Sequence, residues 1–277
     1  MTVRTVGVEE EFLLLREGAP RLAGEGGAVV EAAKRIDPDG QFEHELKMAQ
    51  AELGSSATQS LDELAADLRA LRGELATASA NHGVRLVASG TSPVAGHAST
   101  TAEQRYQRMS EEFGLVARQQ LTCGMHIHVS VESPEEGVAV IDRIGPWLAL
   151  LTALSANSPI YSGRDTDYAS YRSILWRQWP TSGSTATFAD RATYARLTED
   201  LKTAGAATDD GMIYFDARLS AKYPTVEIRV CDVCASSSDA VVIAGLARAL
   251  VQTEAGAWRA GSPAPSIRPE LLRATAW

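Results

Sequence analysis

The chain has 277 residues, 45% hydrophobic and 22% charged, a balance that buries a real core in one large domain or two closely fused ones. A formal net charge of −9 excludes an extended surface for nucleic acid or anionic lipid, because both require clustered Lys and Arg; a small basic pocket for phosphates is still allowed. Three cysteines are too few for a disulfide framework.

The start, from Met1 to Val6, has no apolar leader, and the longest apolar stretch, around Pro146 to Leu154, is short for a bilayer. A cytoplasmic protein is expected. A strand follows at once, and a strand points successive side chains to opposite faces. Thr5, Gly7, Glu9 and Glu11 share one face; Val6, Val8, Phe12 and Leu14 share the other, with Glu10 the exception. Ala23 to Gly27 reads as a loop. From Gln41 to Glu52 the chain is rich in acids. Read as one strand, it sets Gln50 and Glu52 on one face and Glu43 and Glu45 on the other. Glu52 is the candidate for a site, and Glu45 stays open.

Ser60-Leu-Asp-Glu63 is a capping box, and Leu61, Leu64, Leu68, Leu71 and Leu75 follow at helical spacing toward Gly83, a C-cap glycine. A second helix is predicted over about 102–117, burying Tyr106, Met109 and Phe113. The stretch from Leu121 to Val131 alternates cleanly. Leu121, Cys123, Met125, Ile127 and Val129 face one way; Thr122, Gly124, His126, His128 and Ser130 face the other. Ser133-Pro134-Glu135-Glu136 then opens a helix, with proline at its first position. Near the end, Val226, Ile228 and Val230 alternate with Thr225, Glu227 and Arg229, and Ser237-Ser238-Asp239 starts a helix toward Leu250. Cys231-Asp-Val-Cys234 has redox spacing but no second such pair, so two inert thiols are expected.

These strands each combine an apolar face with a polar one. The pattern predicts an α+β fold: an antiparallel sheet with helices packed on one face and an open polar face for chemistry. On that polar face Glu9 and Glu11 repel each other, and a divalent cation would relieve the repulsion; a solvated acidic strand is the plain alternative. His126 and His128 beside Gly124 suggest a site that a ligand approaches closely, although helical zinc-hydrolase spacing is absent. Glu227 with Arg229 is either a salt bridge or a metal ligand beside an anion grip. No Walker loop or GxGxxG is present. Phosphates would therefore be held by metal and by scattered arginines, among them Arg164, Arg172, Arg177, Arg218 and Arg229.

Several segments together resemble the bacterial carboxylate–amine ligase family, also called glutamate–cysteine ligase type 2. They are Val6-Gly-Val-Glu-Glu-Glu-Phe12, Cys123-Gly-Met-His-Ile-His-Val129, Leu154-Ser-Ala-Asn-Ser-Pro159, Gly163-Arg-Asp-Thr, Ala169-Ser-Tyr-Arg172, Trp179-Pro-Thr-Ser-Gly183, Asp210-Gly-Met-Ile-Tyr-Phe-Asp216 and Tyr223-Pro-Thr-Val-Glu-Ile-Arg-Val-Cys-Asp232. They run in family order across nearly the whole chain. The family is in turn similar, at a distance, to glutamine synthetase.

The resemblance implies a glutamine-synthetase-like catalytic sheet spanning 1–277 as a single domain. It implies Glu9, Glu11, Glu52, His126 and Glu227 as metal ligands, and His128, Arg229 and Ser130 next to the nucleotide. Arg172, Arg218 and Arg229 would act on the reacting groups. The cofactors implied are ATP and Mg²⁺, with Mn²⁺ a substitute. The partners are small carboxylate and amine substrates, with no nucleic acid and no membrane, and a homodimer is allowed. The reaction implied is amide formation through an acyl phosphate. A metal-dependent kinase and a non-catalytic shortened homologue are the alternatives, since family members usually continue beyond the tryptophan that Trp277 resembles.

Overall fold

The computed structural model describes residues 3–277; Met1 and Thr2, where the absence of a leader was read, lie outside the described residues. In chain order the elements are β1 (Val6–Arg16), α1 (Gly26–Ile36), β2 (Gln41–Glu43), β3 (Gln50–Gly54), α2 (Leu61–Ala80) and β4 (Val84–Val87). Then come α3 (Gln104–Glu112), α4 (Leu115–Gln119), β5 (Gly124–Ser130), α5 (Pro134–Ser155), β6 (Ile160–Tyr161), β7 (Arg164–Asp165), α6 (Tyr171–Trp176) and α7 (Arg191–Thr203). A 3-10 turn (Asp210–Met212), β8 (Ala217–Leu219), β9 (Thr225–Asp232), α8 (Ser237–Arg259) and α9 (Pro269–Thr275) complete the chain.

The main sheet runs β2-β3-β1-β5-β9-β8, every pair antiparallel, and β4 pairs the far half of β1. β1 is the axis: its first half lies between β3 and β5, its second between β3 and β4. The apolar faces read from β1, β5 and β9 meet α1, α2, α5 and α8 on one side of the sheet. Both N-caps form, with Ser60 and Ser133 each accepting from the backbone N–H three residues on, but the reciprocal half of each box is redirected: Glu63 accepts from the Thr58 hydroxyl and Glu136 from the Glu132 N–H. The helix predicted over 102–117 is divided. Gly114 takes φ +56° between α3 and α4, a left-handed conformation that ends one helix and starts the next.

α5 and α8, at 22 and 23 residues, are longer than the apolar run suggested and pass a length-and-hydropathy test for crossing a membrane. In this fold they line one another and the sheet, and α5 buries Glu136 and Arg143. The thiols are inert as read: burial pushes Cys231 and Cys234 up to about 12.

Glu10, the exception on β1, is fully buried on the helix side. Arg72 of α2 reaches it with two hydrogen bonds, Nε to Oε2 at 2.7 Å and Nη2 to Oε1 at 2.5 Å. Its remaining donors meet the carbonyls of Cys234 and Ala235, which ties α2 to the start of α8. Breaking a buried pair from one side strands a charge. Arg72→Met is therefore expected to cost about 3–5 kcal/mol of unfolding free energy. The double variant Glu10→Leu/Arg72→Met should lose less than Arg72→Met alone, and urea titrations of all three proteins check this.

Candidate active site

The polar face of the sheet opens into a cavity of about 590 Å³. Its floor carries Glu9, Glu11, Glu52, His126, His128, Glu227 and Arg229 from adjacent strands. Strand register explains the convergence: Glu9 lies opposite His126, Glu11 opposite Glu52, and His128 opposite Glu227. Walls come from α3, from the end of α6 with Trp179, and from the 3-10 turn.

Glu9, His126 and Glu227 each bring a ligand atom within 4.8 Å of the others. Glu9 Oε2 lies 3.5 Å from His126 Nδ1 and 3.4 Å from His128 Nε2, and Glu11 Oε1 lies 3.7 Å from His126 Nε2. His128 Nδ1 is hydrogen-bonded to Thr225 Oγ1 at 2.9 Å, which sets its ring and leaves Nε2 toward Glu9. The Nε2 atoms of both histidines are buried with no hydrogen-bond partner. Oxygen-rich carboxylates with two orphaned imidazole nitrogens suit a divalent cation.

Charge is distributed unevenly. Burial raises the Glu9 carboxyl, but His126 and His128 outweigh it and hold Glu9 well below its ordinary range. Burial and then Arg229 push His126 down, toward the neutral form that ligates a metal. Glu227 is also held low, because Arg229 and Arg218 outweigh burial. The opposite end has no such help. Burial, then the charges of Glu9, Glu45, Glu11 and Glu43, raise Glu52 well above its usual value. Burial and Glu11 push Glu45 up to about 8, against the Leu46 N–H and the more distant Arg105 and Arg229.

The acid-rich segment is not one strand. β2 and β3 form an antiparallel pair with Glu43 opposite Glu52, so Glu43, Glu45, Gln50 and Glu52 all reach the cavity. The expected split into two faces fails because the chain turns back on itself between them.

β9 holds a second departure. Gly124 pairs with Asp232 and Met125 with Cys231, but Ile127 pairs with Ile228. His126 therefore faces two residues, Arg229 and Val230. Such a β-bulge shifts the alternation by one position. Cys231 is fully buried, while Val230 is only partly so. Arg229 still points into the cavity, bonded through Nη1 to Glu227 and 3.5 Å from His126 Nδ1.

The other predicted site residues separate. Arg218 lines the cavity, but its donors are used internally. Nε and Nη2 bond Glu227 at 2.7 and 3.1 Å, and Nη1 bonds the carbonyls of Asp210, Gly211 and Ile213. Those bonds hold Glu227 and the segment around the 3-10 turn in place. Arg172 lies behind the cavity wall, buried, with Nη2 against the carbonyl of Arg229. Gly124 does not admit a ligand either, because a Cβ there would lie 2.3 Å from Arg172 Nη2. Ser130 sits past the cavity at the far end of β5 and accepts from the backbone N–H of Thr5 at 3.0 Å. Arg164 is exposed on β7, and Arg177 donates to the carbonyl of Arg273. Sequence reasoning missed Arg105, Tyr106, Trp176, Tyr214 and Lys222 in the cavity lining. Tyr214 belongs to a quoted motif, whereas Arg105 has no distinguishing signal beyond its helix.

The profile of "Glutamate-cysteine ligase family 2" matches residues 5–277. The chain belongs to this family of carbon–nitrogen ligases. A Frankia alni protein named "Putative glutamate–cysteine ligase 2-2" is 49% identical over 288 residues, covering 99% of this chain and 75% of that protein. The chain thus spans about three quarters of that relative. Its fold matches that of a Francisella tularensis glutamate–cysteine ligase solved in complex with AMP, with TM-score 0.64 and 13% identity, covering 100% of this chain and 70% of that one. It also matches a Plasmodium falciparum glutamine synthetase, with TM-score 0.51 and 12% identity, over 94% of this chain and 52% of that one. The glutamine-synthetase-like sheet expected from the family is the one observed.

The uneven charge makes two substitutions diverge. A carboxyl held low adds stability above its unfolded value near 4.5, and that stability disappears as pH falls through the folded value. Glu9 is of this kind. A carboxyl held high does the reverse: stability is lost as pH rises from its unfolded value through the folded one. Glu52 and Glu45 are of that kind. At pH 8 without metal, Glu9→Gln is expected to lower the melting temperature and Glu52→Gln to raise it. Both should reduce the rise produced by Mg²⁺, and thermal melts with and without the ion read all four outcomes.

Proposed function

We propose that this cavity joins a carboxylate to an amine at the expense of ATP, with glutamate and cysteine as the nominal pair. One observation carries the reading: an acid–imidazole cluster with Arg229 set among its members, in a chain of a ligase family and without a glycine-rich phosphate loop. Glu9, Glu11, Glu52, His126 and Glu227 would hold Mg²⁺, or Mn²⁺ in its place. The bound ion would neutralise charge on the phosphate oxygens.

The chain's own groups account for the rest. Arg229 presents a planar guanidinium to the γ-phosphoryl group as it passes from ATP to an oxygen of the substrate carboxylate, releasing ADP. His128, fixed by Thr225, stands beside the phosphates with Nε2 turned into the cavity. Arg105, paired with Asp209, and Lys222, paired with Glu43, complete the cavity lining. The amine nitrogen then attacks the acyl carbon, the C–O bond to phosphate breaks, and amide, phosphate and a proton are released. Aromatic walls from Trp176, Trp179 and Tyr214 narrow the cavity next to Arg229 and hold water away from the acyl phosphate.

ADP release should require both a carboxylate and an amine. Release with the carboxylate alone, yielding a stable phosphorylated product, would make the protein a kinase; no release and no nucleotide binding would leave it non-catalytic. Arg229→Lys keeps the charge and loses the two-pronged donor. It is expected to lower kcat by about 100-fold while changing the KM for ATP far less. Steady-state kinetics varying ATP and the carboxylate separately measure this. A weakened KM for the carboxylate with normal kcat would reassign Arg229 to that substrate.

A further inference from the structure

We propose that Arg172, set beside the buried Asp232, is a positioning residue for phosphoryl transfer: it holds the β9 bulge that aims Arg229 into the cavity. The proposal rests on the reading that Arg229 acts on the transferring group.

A bulge removes backbone groups from the ladder, and those groups need other partners when buried. Beside the bulge, the Arg229 N–H continues the β8 ladder to the carbonyl of Asp216 at 3.0 Å, but Asp216 N–H turns to Gly183, and the Arg229 carbonyl accepts from Arg172 Nη2 at 3.3 Å instead. The guanidinium of Arg172 also lies against Gly124, two residues before His126, in the space that any side chain at 124 would fill. It therefore touches both strands at the point where their register shifts.

Arg172 is itself held from two directions. Its backbone N–H donates to Ser158 Oγ at 3.0 Å, and its Nη1 lies 4.0 Å from Asp232 Oδ1. Asp232 is fully buried and accepts from Asn157 N, Ser158 Oγ and Ser170 Oγ at 2.9, 2.6 and 2.9 Å. Trp176 completes the link. Its ring centroid lies 5.4 Å from Arg172 Cζ and 5.8 Å from Arg229 Cζ, so one aromatic side chain spaces the two guanidiniums. A buried anion thus holds Arg172 through Ser158 and through its own nearby charge, and Arg172 meets the backbone and shares the aromatic neighbour of Arg229. Arg172 does not line the cavity, so it acts through Arg229.

The test is a double-mutant cycle on ATP-dependent ligation of glutamate and cysteine, with kcat expressed per folded molecule. Lysine at 172 keeps a charge for Asp232 but lacks the flat donor that reaches the Arg229 carbonyl. Arg172→Lys is expected to lower kcat by about 10- to 100-fold with little change in KM. The double variant Arg172→Lys/Arg229→Lys should be no slower than Arg229→Lys alone, because the first change acts only through the second residue. If the two factors multiply, or if Arg172→Lys turns over at the wild-type rate, the positioning role is wrong. A purely structural role would lower the melting temperature and leave kcat per folded molecule unchanged, which also overturns it. If Arg229→Lys alone retains full turnover, the reading of Arg229 fails instead. Should Arg172→Lys not fold, Asp232→Asn, which keeps the side-chain volume, enters the same cycle with the same expectation.

Discussion

Carboxylates crowded into a low-dielectric cavity repel one another strongly, and each must find a counter-charge or keep its proton. That constraint organises this protein. Glu227 is gripped by Arg218 and Arg229, Glu9 lies beside two imidazoles, and Glu11 accepts the Gly124 N–H at 2.7 Å. Glu52 and Glu45 have no comparable cation and are held toward their protonated forms. The cavity is ionised at one end and proton-holding at the other, so a divalent cation entering it would displace protons as it binds.

The sheet makes this arrangement rigid. β1 bonds neighbours along its entire length: Glu9 and Glu10 are placed by backbone ladders on both sides, and Glu11 by its pairing with β3. Beneath it, α2 and α8 are fastened to each other through Arg72, whose other hydrogen bonds neutralise Glu10. A buried ion pair contributes little net stability, but its geometry fixes which helix lies where. The helix side thus holds the floor of the cavity still while its walls are supplied by loops and short helices.

Those walls depend on arginines whose work is structural. Arg218 spends its donors on Glu227 and on three carbonyls of the segment around the 3-10 turn. At the rim, Arg105 of α3 meets Asp209 through two hydrogen bonds at 2.8 and 3.1 Å, spanning the entrance. Guanidiniums here both line the cavity and hold the other residues that line it.

Much of this was legible in the chain alone. Period-two alternation identified the polar faces of β1 and β5, and the capping boxes located α2 and α5, because each signal is local: neighbouring residues share one backbone geometry. The family motifs placed Glu9, Glu11, His126 and Glu227 together, and register brings them into one cavity. What alternation misjudged required partners far away in sequence. The β9 bulge exists because β5 and β9 pair with one residue against two. β2 and β3 bring Glu43 and Glu52 to one face because the chain reverses between them. Arg172, Arg218 and Arg229 are alike as residues in polar stretches, and only the positions of Asp232, Glu227 and the cavity separate the two that line the cavity from the one behind its wall. Charge and facing are written locally, whereas the use of a long, flexible cation is set by the groups that folding places at its tip.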